Sequence, residues 1–154
     1  MPTPPPAQRE LQILEQIETN PDLTQADLAE QLGVAIGTVN FAIRRLIKRG
    51  YIRAKQLQRR RLQYIITPAG IALRSKLAVD SLQYSMRLYR ETRQQAKELL
   101  TDARRHGHRQ VTIEGEGDIA EIVRLTCLEM GIEIKDGAGR WPVIAVIGTT
   151  LQAK

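Results

Sequence analysis

The sequence predicts an α+β fold in three parts, and three features of its pattern carry that prediction. Apolar residues recur at helical spacing through the first 50 positions, and apolar and polar residues then alternate up to position 66. Neither glycine nor proline occurs between Gly70 and Gly107, which predicts one long helix. A strand, a helix and two further strands are predicted beyond it, so we expect a small C-terminal βαβ-like module.

Local signals bound the first two helices. A helix is predicted from about residue 7 to residue 18, because Asn20, followed by proline, stops it. Thr24 and Asp27 have the spacing of a capping box, with aspartate in place of the usual glutamate or glutamine. Gly33 stands where a glycine is expected just past a helix end. The second helix is therefore expected to begin after Thr24 and to end at Gly33.

Only a turn separates Gly33 from a third helix, which is predicted over residues 36–48. Its inner, apolar stripe consists of Val39, Ile43 and Leu46. Gly50 ends this helix, and two alternating segments then flank a polar tip that contains three arginines. These segments, 51–55 and 62–66, predict a β-hairpin, although no glycine marks its turn.

The long helix is predicted to start at Thr67 and Pro68, which are the residue types of an N-cap and a first helical position, and to end at Gly107. A stripe along it repeats in alternating steps of four and three, which is a coiled-coil period. The stripe consists of Ile71, Ser75, Ala78, Leu82, Ser85, Tyr89, Thr92, Ala96, Leu99 and Ala103. A domain this small cannot bury so long a helix, so we expect a partner helix from a second copy.

The C-terminal module is predicted to contain a helix over residues 118–130 between strands at 111–113 and 132–135, and a third strand at 143–147. The third strand is apolar on both faces, so it needs cover on both sides, which one helix cannot supply. We expect the long helix or a second subunit to help, which makes this module a further candidate for dimerisation.

Charge is segregated along the chain. Residues 31–79 contain no acidic residue, although the net charge of the whole protein is only +6. The eleven cations of this acid-free segment are Arg44, Arg45, Lys48, Arg49, Arg53, Lys55, Arg59, Arg60, Arg61, Arg74 and Lys76. Many charges of one sign repel each other and destabilise a folded segment. The commonest reason for such a cluster of cations is the binding of a polyanion. Residues 111–154 carry a net charge of −3, so the tail is expected to have a different partner.

Composition excludes several other classes. No apolar run reaches the roughly 18–20 residues that span a bilayer, and we expect no secretory signal at this N-terminus. The single cysteine, Cys127, excludes an internal disulfide and fits a reducing cytoplasm; we expect it in the core. Aromatic residues make up 4% of the chain, too few for the stacking platform of an RNA or single-strand binder. His106 and His108 lack a third ligand, so no metal site is predicted.

Three helices followed by a basic hairpin is the element order of a winged helix-turn-helix, whose second motif helix enters the major groove. The segments LTQADLAEQLGVAIGTVNFAIRRLIKRGYI and YIITPAG resemble the MarR-type winged-helix transcriptional regulators, especially the branch linked to exopolysaccharide gene clusters. The resemblance covers about residues 8–105. It implies a winged-helix domain, a long dimerisation helix and binding to double-stranded DNA.

The resemblance also implies which residues bind DNA. Those expected at base edges are Gly37, Thr38, Asn40, Phe41 and Arg44. Arg45 and Lys48 follow on the same helix, with Lys48 near phosphate. The minor groove or its phosphates are expected to meet the wing-tip residues Arg59, Arg60 and Arg61. The chain departs from the pattern at the helix start, where Ala35 and Ile36 replace the usual serine or threonine and no side chain can cap the helix.

A glycine-rich turn lies in the C-terminal module. Gly115-x-Gly117-x-x-Ala120 follows the predicted strand and opens the predicted helix, and Asp136 lies 21 residues after Gly115. These are elements of a dinucleotide-binding fingerprint, and residues 110–148 resemble a small Rossmann-type βαβ unit. Acidic residues crowd the turn, which disfavours a pyrophosphate there. Two interpretations stay open: a tight turn that lets the helix pack closely, or a ligand site that includes Gly115, Gly117 and Asp136.

We therefore predict a cytoplasmic, homodimeric transcriptional regulator that binds double-stranded DNA sequence-specifically and is not an enzyme. Its predicted domains are a winged helix-turn-helix at 7–67, a dimerisation helix at 68–107 and an α/β module at 108–154 for dimerisation or ligand sensing. No cofactor, metal or membrane partner is predicted, and a small-molecule effector stays open. The alternative is a nucleotide- or sugar-nucleotide-binding sensor with a basic docking domain.

Overall fold

The structure of the protein, a computed structural model, describes residues 5–137 and 139–154. It has the predicted α+β fold, with a winged helix-turn-helix, a long helix and a small C-terminal sheet. The chain forms two compact units, one that ends at Leu82 and one that runs from Gln83 to Lys154. The long helix continues from the first unit into the second. The predicted division into three domains remains a prediction.

The first unit contains three helices, a two-stranded hairpin and the start of the long helix. These elements are α1 (Pro6–Thr19), α2 (Gln25–Leu32), α3 (Ile36–Lys48), β1 (Ile52–Gln58), β2 (Arg61–Ile66) and α4 (Pro68–Arg105). The capping box is complete, because Thr24 accepts from the Asp27 backbone and Asp27 accepts from the Thr24 backbone. Gly33 ends α2 in the left-handed conformation, with φ of 62°. Each of these elements was predicted from the sequence.

One core holds the first unit together. Its buried side chains come from all three short helices and from both strands. They include Leu14 of α1, Leu28 of α2, Ile43 of α3 and Tyr64 of β2. Leu73 of α4 packs against the same core. The inner face of α3 is therefore fixed by packing, and its opposite face is free to meet a ligand.

The hairpin pairs β1 with β2 in antiparallel register from Ile52 opposite Ile66 to Gln58 opposite Arg61. Its turn contains Arg59 and Arg60 and uses no residue with positive φ, since the only positive φ values of the described residues belong to glycines. The register shifts between Gln56 and Gln58, which leaves one extra residue in β1. This bulge accompanies a turn that needs no glycine.

The first turn of α4 shows why the predicted helix begins where it does. The Thr67 hydroxyl accepts a hydrogen bond from the Gly70 backbone N–H at 3.1 Å, as an N-cap does. Gly70 itself lies against the carbonyl oxygen of Tyr51, and a Cβ at this position would overlap with that oxygen. Glycine is therefore required by the close approach of α4 to the Tyr51 carbonyl, just before β1.

The predicted stripe along α4 divides into two halves with different surroundings. Thr92, Ala96 and Ala103 are buried within the second unit, so this half already packs against its own chain. Ile71, Leu82 and other apolar residues of the preceding half are exposed. The predicted contact with a partner helix therefore cannot extend along the whole stripe. The C-terminal half of the helix already forms part of the core of the second unit.

The second unit completes α4 with four strands and one helix. These elements are β3 (Gln110–Glu114), α5 (Asp118–Met130), β4 (Glu133–Ile134), β5 (Val143–Ile147) and β6 (Thr150–Ala153). The sheet order is β4-β3-β5-β6, with β3 parallel to both neighbours and β6 antiparallel to β5. The sequence prediction of three strands was wrong, because it missed β6.

The core of the second unit joins α4, α5 and the sheet. Leu100 of α4, Val123 of α5 and Ile144 of β5 are among its buried residues. The long helix thus supplies cover for β5, as one of the two sequence interpretations expected. The strand is less buried than predicted, because Ile147 at its end is 49% exposed.

Candidate nucleic-acid interface

Helix α3 presents the predicted base-reading residues away from its core face. Val39, Ile43 and Leu46 point into the core and are at most 1% exposed. The predicted base-reading residues, Gly37, Thr38, Asn40, Phe41 and Arg44, are all exposed or half-buried. Phe41 is 68% exposed, so its ring is accessible to a ligand.

The helix start is well formed in spite of the missing cap. No side chain caps α3, and Ala35 is in the extended region with φ of −67° and ψ of 146°. The Thr38 backbone N–H donates to the Ala35 carbonyl at 2.9 Å, which closes the first turn. The departure from a serine or threonine start therefore leaves free backbone donors near the surface that the motif presents to DNA.

One predicted base-reading residue is held by neighbours in the same unit. The Asn40 Nδ2 donates to the Gln25 Oε1 at 3.0 Å. The Gln25 Nε2 in turn donates to the Tyr64 hydroxyl at 2.8 Å. This chain of side chains joins α3 to α2 and to the hairpin. Sequence reasoning missed it because the three residues are far apart in the chain.

The hairpin, which we call the wing, carries Arg59 and Arg60 in its turn and Arg61 at the start of β2. All three side chains are exposed. The base of the wing is anchored on the turn after α1, since the Tyr64 backbone N–H donates to the Pro21 carbonyl at 3.3 Å. The Gln63 Nε2 donates to the Asp22 Oδ1 at 3.2 Å. The wing is thus fixed at its base while its basic turn stays in solvent.

Acidic residues of α1 and the following turn neutralise part of the acid-free segment. Arg45 pairs with Glu10 at 2.8 Å, and Arg74 pairs with Glu18 at 2.6 Å. Arg61 lies 3.8 Å from Asp22. Within the described residues, no carboxylate pairs with the other eight cations of the segment, Arg44, Lys48, Arg49, Arg53, Lys55, Arg59, Arg60 and Lys76.

Arg45 differs from the other predicted DNA-binding cations. Its partner Glu10 has a side chain that is only 12% exposed, so the pair links α1 to α3 in a partly buried position. The charge that Arg45 can offer to a phosphate is reduced by this carboxylate. Sequence reasoning could not find the pair, because Glu10 and Arg45 are separated by two turns and a helix.

The glycine-rich turn of the second unit has glycines at positions where the backbone geometry favours them. A Cβ at Gly115 would lie 2.7 Å from the Val146 Cβ, so glycine lets β5 approach the turn. Gly117 precedes α5 with φ of 84°, a conformation that side chains rarely adopt. Asp136 is exposed in the loop after β4. These positions account for both glycines without a ligand, and the predicted ligand site stays a prediction.

The loop after β4 is organised around Thr112. Its hydroxyl accepts from the Trp141 Nε1 at 2.8 Å and lies 2.9 Å from the carbonyl oxygens of Lys135 and Gly137. Gly139 lies against the Trp141 ring, where a Cβ would overlap with it. Trp141 thus anchors this loop by packing and by its hydrogen bond to Thr112.

The pKa values of Asp27 and Cys127 are shifted from their ordinary values, each for a clear physical reason. Hydrogen bonds from the Thr24 side chain and backbone lower the pKa of Asp27, which keeps the capping box ionised. Burial raises the pKa of the Cys127 thiol to about 11. Cys127 is therefore a buried thiol with little thiolate at neutral pH, and it fills space in the second core.

His106 and His108 directly follow the C-terminal end of α4. The His106 Nδ1 lies 2.9 Å from the Asp102 carbonyl oxygen, as a polar residue at a helix end does. Residues 5–137 and 139–154 contain no group of three or more histidine, cysteine, aspartate or glutamate side chains that could hold a metal ion. No helix in the same part of the chain has the length and hydropathy needed to cross a membrane.

Residues 7–53 match a family model described as winged helix-turn-helix DNA-binding. No curated protein matches the chain at a significant level. Among solved structures, the chain is similar to the MarR family transcription regulator SP03579, with 20% identity and a TM-score of 0.45. That match covers 51% of this chain and 53% of the other, so the chain spans about half the length of that regulator.

Two further structures are similar. One is a MepR–DNA complex from S. aureus, with 25% identity, a TM-score of 0.46, and coverage of 62% of this chain and 72% of the other. The second is NMB1585, a MarR family regulator from Neisseria meningitidis, with 18% identity, a TM-score of 0.41 and 79% coverage of both chains. Together with the order α1-α2-α3-β1-β2, the family match shows that the first unit carries a winged helix-turn-helix DNA-binding domain.

Proposed function

We propose that the protein regulates transcription by binding double-stranded DNA sequence-specifically as a homodimer. The observation that carries the proposal is the uneven pairing of charges in the first unit. Acids of the α1 region pair with Arg45, Arg61 and Arg74. In the part of the chain that the structure describes, the other cations on the outer face of α3 and in the wing turn have no carboxylate partner. A cluster of unpaired cations is explained if a polyanion such as DNA supplies the negative charges that pair with them.

The residue types on α3 suit direct readout of bases in a major groove. A free arginine such as Arg44 can form two hydrogen bonds with guanine, and Asn40 can do the same with adenine. The exposed ring of Phe41 suits a thymine methyl group. We assign Lys48 to phosphate, where its charge adds affinity without sequence information. Arg45 stays in the proposed interface, with less free charge than its neighbours because of Glu10.

The wing is proposed to contact the adjacent minor groove or its phosphates through Arg59, Arg60 and Arg61. Its anchored base and exposed turn suit this role, because the base is fixed while, within the described residues, no carboxylate pairs with Arg59 or Arg60. Arg61 is the closest of the three to a carboxylate. We therefore expect Arg59 and Arg60 to contribute more to phosphate binding than Arg61 does.

The exposed half of α4 is the proposed dimer contact. Large apolar side chains project from it at steps of three and four residues, and we name these the α4 stripe: Val79 (52% exposed), Leu82 (63%), Met86 (46%) and Tyr89 (38%). A row of exposed apolar residues on a helix is typical of a helix–helix contact. A second copy of α4 would cover it. Two recognition helices related by two-fold symmetry would then read half-sites about 34–36 Å apart or a multiple of that distance.

The DNA part of the proposal is tested by selecting bound duplexes from a pool with a randomised central segment. The expected result is a palindromic consensus whose half-sites are separated by whole helical turns. Arg44→Ala should relax the preference at one base pair in each half-site. If the protein enriches no sequence under conditions where it binds duplex DNA, specific regulation by operator binding is refuted.

The dimer is tested by Leu82→Glu, which places a charge in the α4 stripe. We expect light scattering to report a monomer and operator affinity to fall, because the two half-sites are no longer read together. Tyr84→Glu is the matched control: it replaces another exposed, large side chain by the same charge. Tyr84 lies roughly 200° around the helix from Leu82, outside the stripe. If both variants remain dimeric, the contact lies elsewhere in the protein.

A further inference from the structure

Gln25 and Tyr64 are linked to the recognition helix by the hydrogen bonds that end at Asn40. We infer that these two residues position the Asn40 amide for the reading of one adenine, an inference that rests on the proposed DNA-binding function. Neither residue belongs to the surface expected to read bases. Their role would be to set specificity through another side chain.

Tyr64 is the fixed end of this series of hydrogen-bonded side chains. Its side chain belongs to the first core and is only 3% exposed. Its backbone is paired with Ala54 of β1 and bonded to the Pro21 carbonyl at 3.3 Å. The hydroxyl therefore sits at a position decided by the core and by the wing strand, and solvent has little influence on it.

Gln25 transmits this position to α3. It is the first residue of α2, directly after the N-cap, and the Thr24–Asp27 capping box holds the backbone there. The two ends of its side-chain amide are both engaged, with the Tyr64 hydroxyl at 2.8 Å and the Asn40 Nδ2 at 3.0 Å. A side chain bonded at both ends has lost most of its rotamer freedom before any ligand arrives.

The bond to Gln25 leaves Asn40 suited to adenine. A side-chain amide has two N–H donors and one carbonyl acceptor, and Gln25 uses one donor. The remaining N–H and the Oδ1 are the pair that adenine requires, with its N7 as acceptor and its N6 as donor. Because the amide is already held, less rotamer entropy is lost on binding. A released amide could turn and give a single N–H to guanine N7, so release should weaken discrimination between adenine and guanine.

Two variants and one control separate positioning from folding. Gln25→Met keeps a long side chain and removes both hydrogen bonds, whereas Tyr64→Phe removes only a buried hydroxyl. Tyr51→Phe is the matched control, because within the described residues the Tyr51 hydroxyl makes no hydrogen bond. Asn40→Ala serves as the reference for complete loss of the contact.

The measurement compares all four bases at each position of the consensus that the unaltered protein selects from a random duplex pool. Asn40→Ala should remove an adenine preference at one base pair, which is worth about 5- to 150-fold in affinity for a bidentate contact. Gln25→Met should remove most of that preference at the same base pair, and Tyr64→Phe part of it. Preferences at other positions and the salt dependence should not change, and Tyr51→Phe should behave like the unaltered protein.

Three outcomes would overturn this inference. Gln25→Met could retain the adenine preference that Asn40→Ala loses, it could weaken all duplexes equally, or it could change a different base pair from Asn40→Ala. Each would show that Gln25 does not act through Asn40. A pool that yields no consensus for the unaltered protein refutes the proposed function itself, so the two failures are distinguishable.

Discussion

Removal of Arg60 tests whether unpaired cations of the acid-free segment bind phosphate. Arg60 is exposed in the wing turn, and no carboxylate of the described residues pairs with it. Arg74 belongs to the same segment but is paired with Glu18 at 2.6 Å, and its side chain is only 29% exposed. Arg60→Ala and Arg74→Ala change the net charge equally, so their comparison isolates the availability of the cation.

The expected size follows from counterion release. Each phosphate contact contributes about 0.9 to the slope of the logarithm of affinity against the logarithm of salt concentration. A dimer loses two contacts in Arg60→Ala, so the slope should become shallower by about 1.8. When the salt concentration rises from about 50 to about 200 mM, the fold-loss of affinity should then be roughly 12 times smaller for the variant than for the unaltered protein. Arg74→Ala should leave the slope unchanged.

The assay is fluorescence anisotropy of a labelled duplex titrated at several salt concentrations, with thermal unfolding of each variant as a check on folding. Equal changes of slope in the two variants would mean that the slope follows net charge rather than phosphate contact. An unchanged slope for Arg60→Ala would remove the wing turn from the proposed interface.

Further predictions concern the framework of the protein. Gly70→Ala should lower the free energy of unfolding by about 1–3 kcal/mol, because the added Cβ meets the Tyr51 carbonyl, and denaturant unfolding measures it. Gly37→Ala is the control for that strain, because beyond its chain neighbours and its own helix backbone the added Cβ meets no atom within 4 Å. Cys127 should react with a thiol reagent only after unfolding, because burial raises its pKa to about 11; fast labelling of the native protein would contradict this. The lowered pKa of Asp27 means that its contribution to stability is present above its unfolded value of 3.8 and is lost as the pH falls through the lower folded value. Asp27→Asn should therefore lose stability at neutral pH and show a weaker dependence of melting temperature on acid pH.

Element boundaries were predictable where the signal is local. The Thr24–Asp27 box, Gly33 and the Thr67-Pro68 pair each act within one turn of helix, so their chemistry can be recognised from neighbours in the chain. α3 and β5 were predicted with the bounds that the structure has. In these segments the periodicity of apolar residues and the capping signals agree.

β6 was missed because its own four residues do not show a clear strand pattern. Thr150–Ala153 is short and mostly exposed, and its place depends on pairing with β5. The Gln95 side chain of α4 accepts from the Leu151 backbone N–H at 3.3 Å, which satisfies one donor of the strand. Its pairing partner β5 ends only two residues earlier, so Gly148 and Thr149 were a local turn signal. The strand itself is short and mostly exposed, so it lacks the apolar alternation that would have completed the signal.

The acid-free segment shows what each level of structure contributes. The sequence alone determined that a basic helix and a basic hairpin follow a capped helix-turn-helix order, because charge sign and periodicity are properties of neighbouring residues. Only the tertiary structure decided which charges are free, since Glu10, Glu18 and Asp22 reach Arg45, Arg74 and Arg61 across the fold. Coulomb attraction depends on distance in space, and packing of the first core sets those distances.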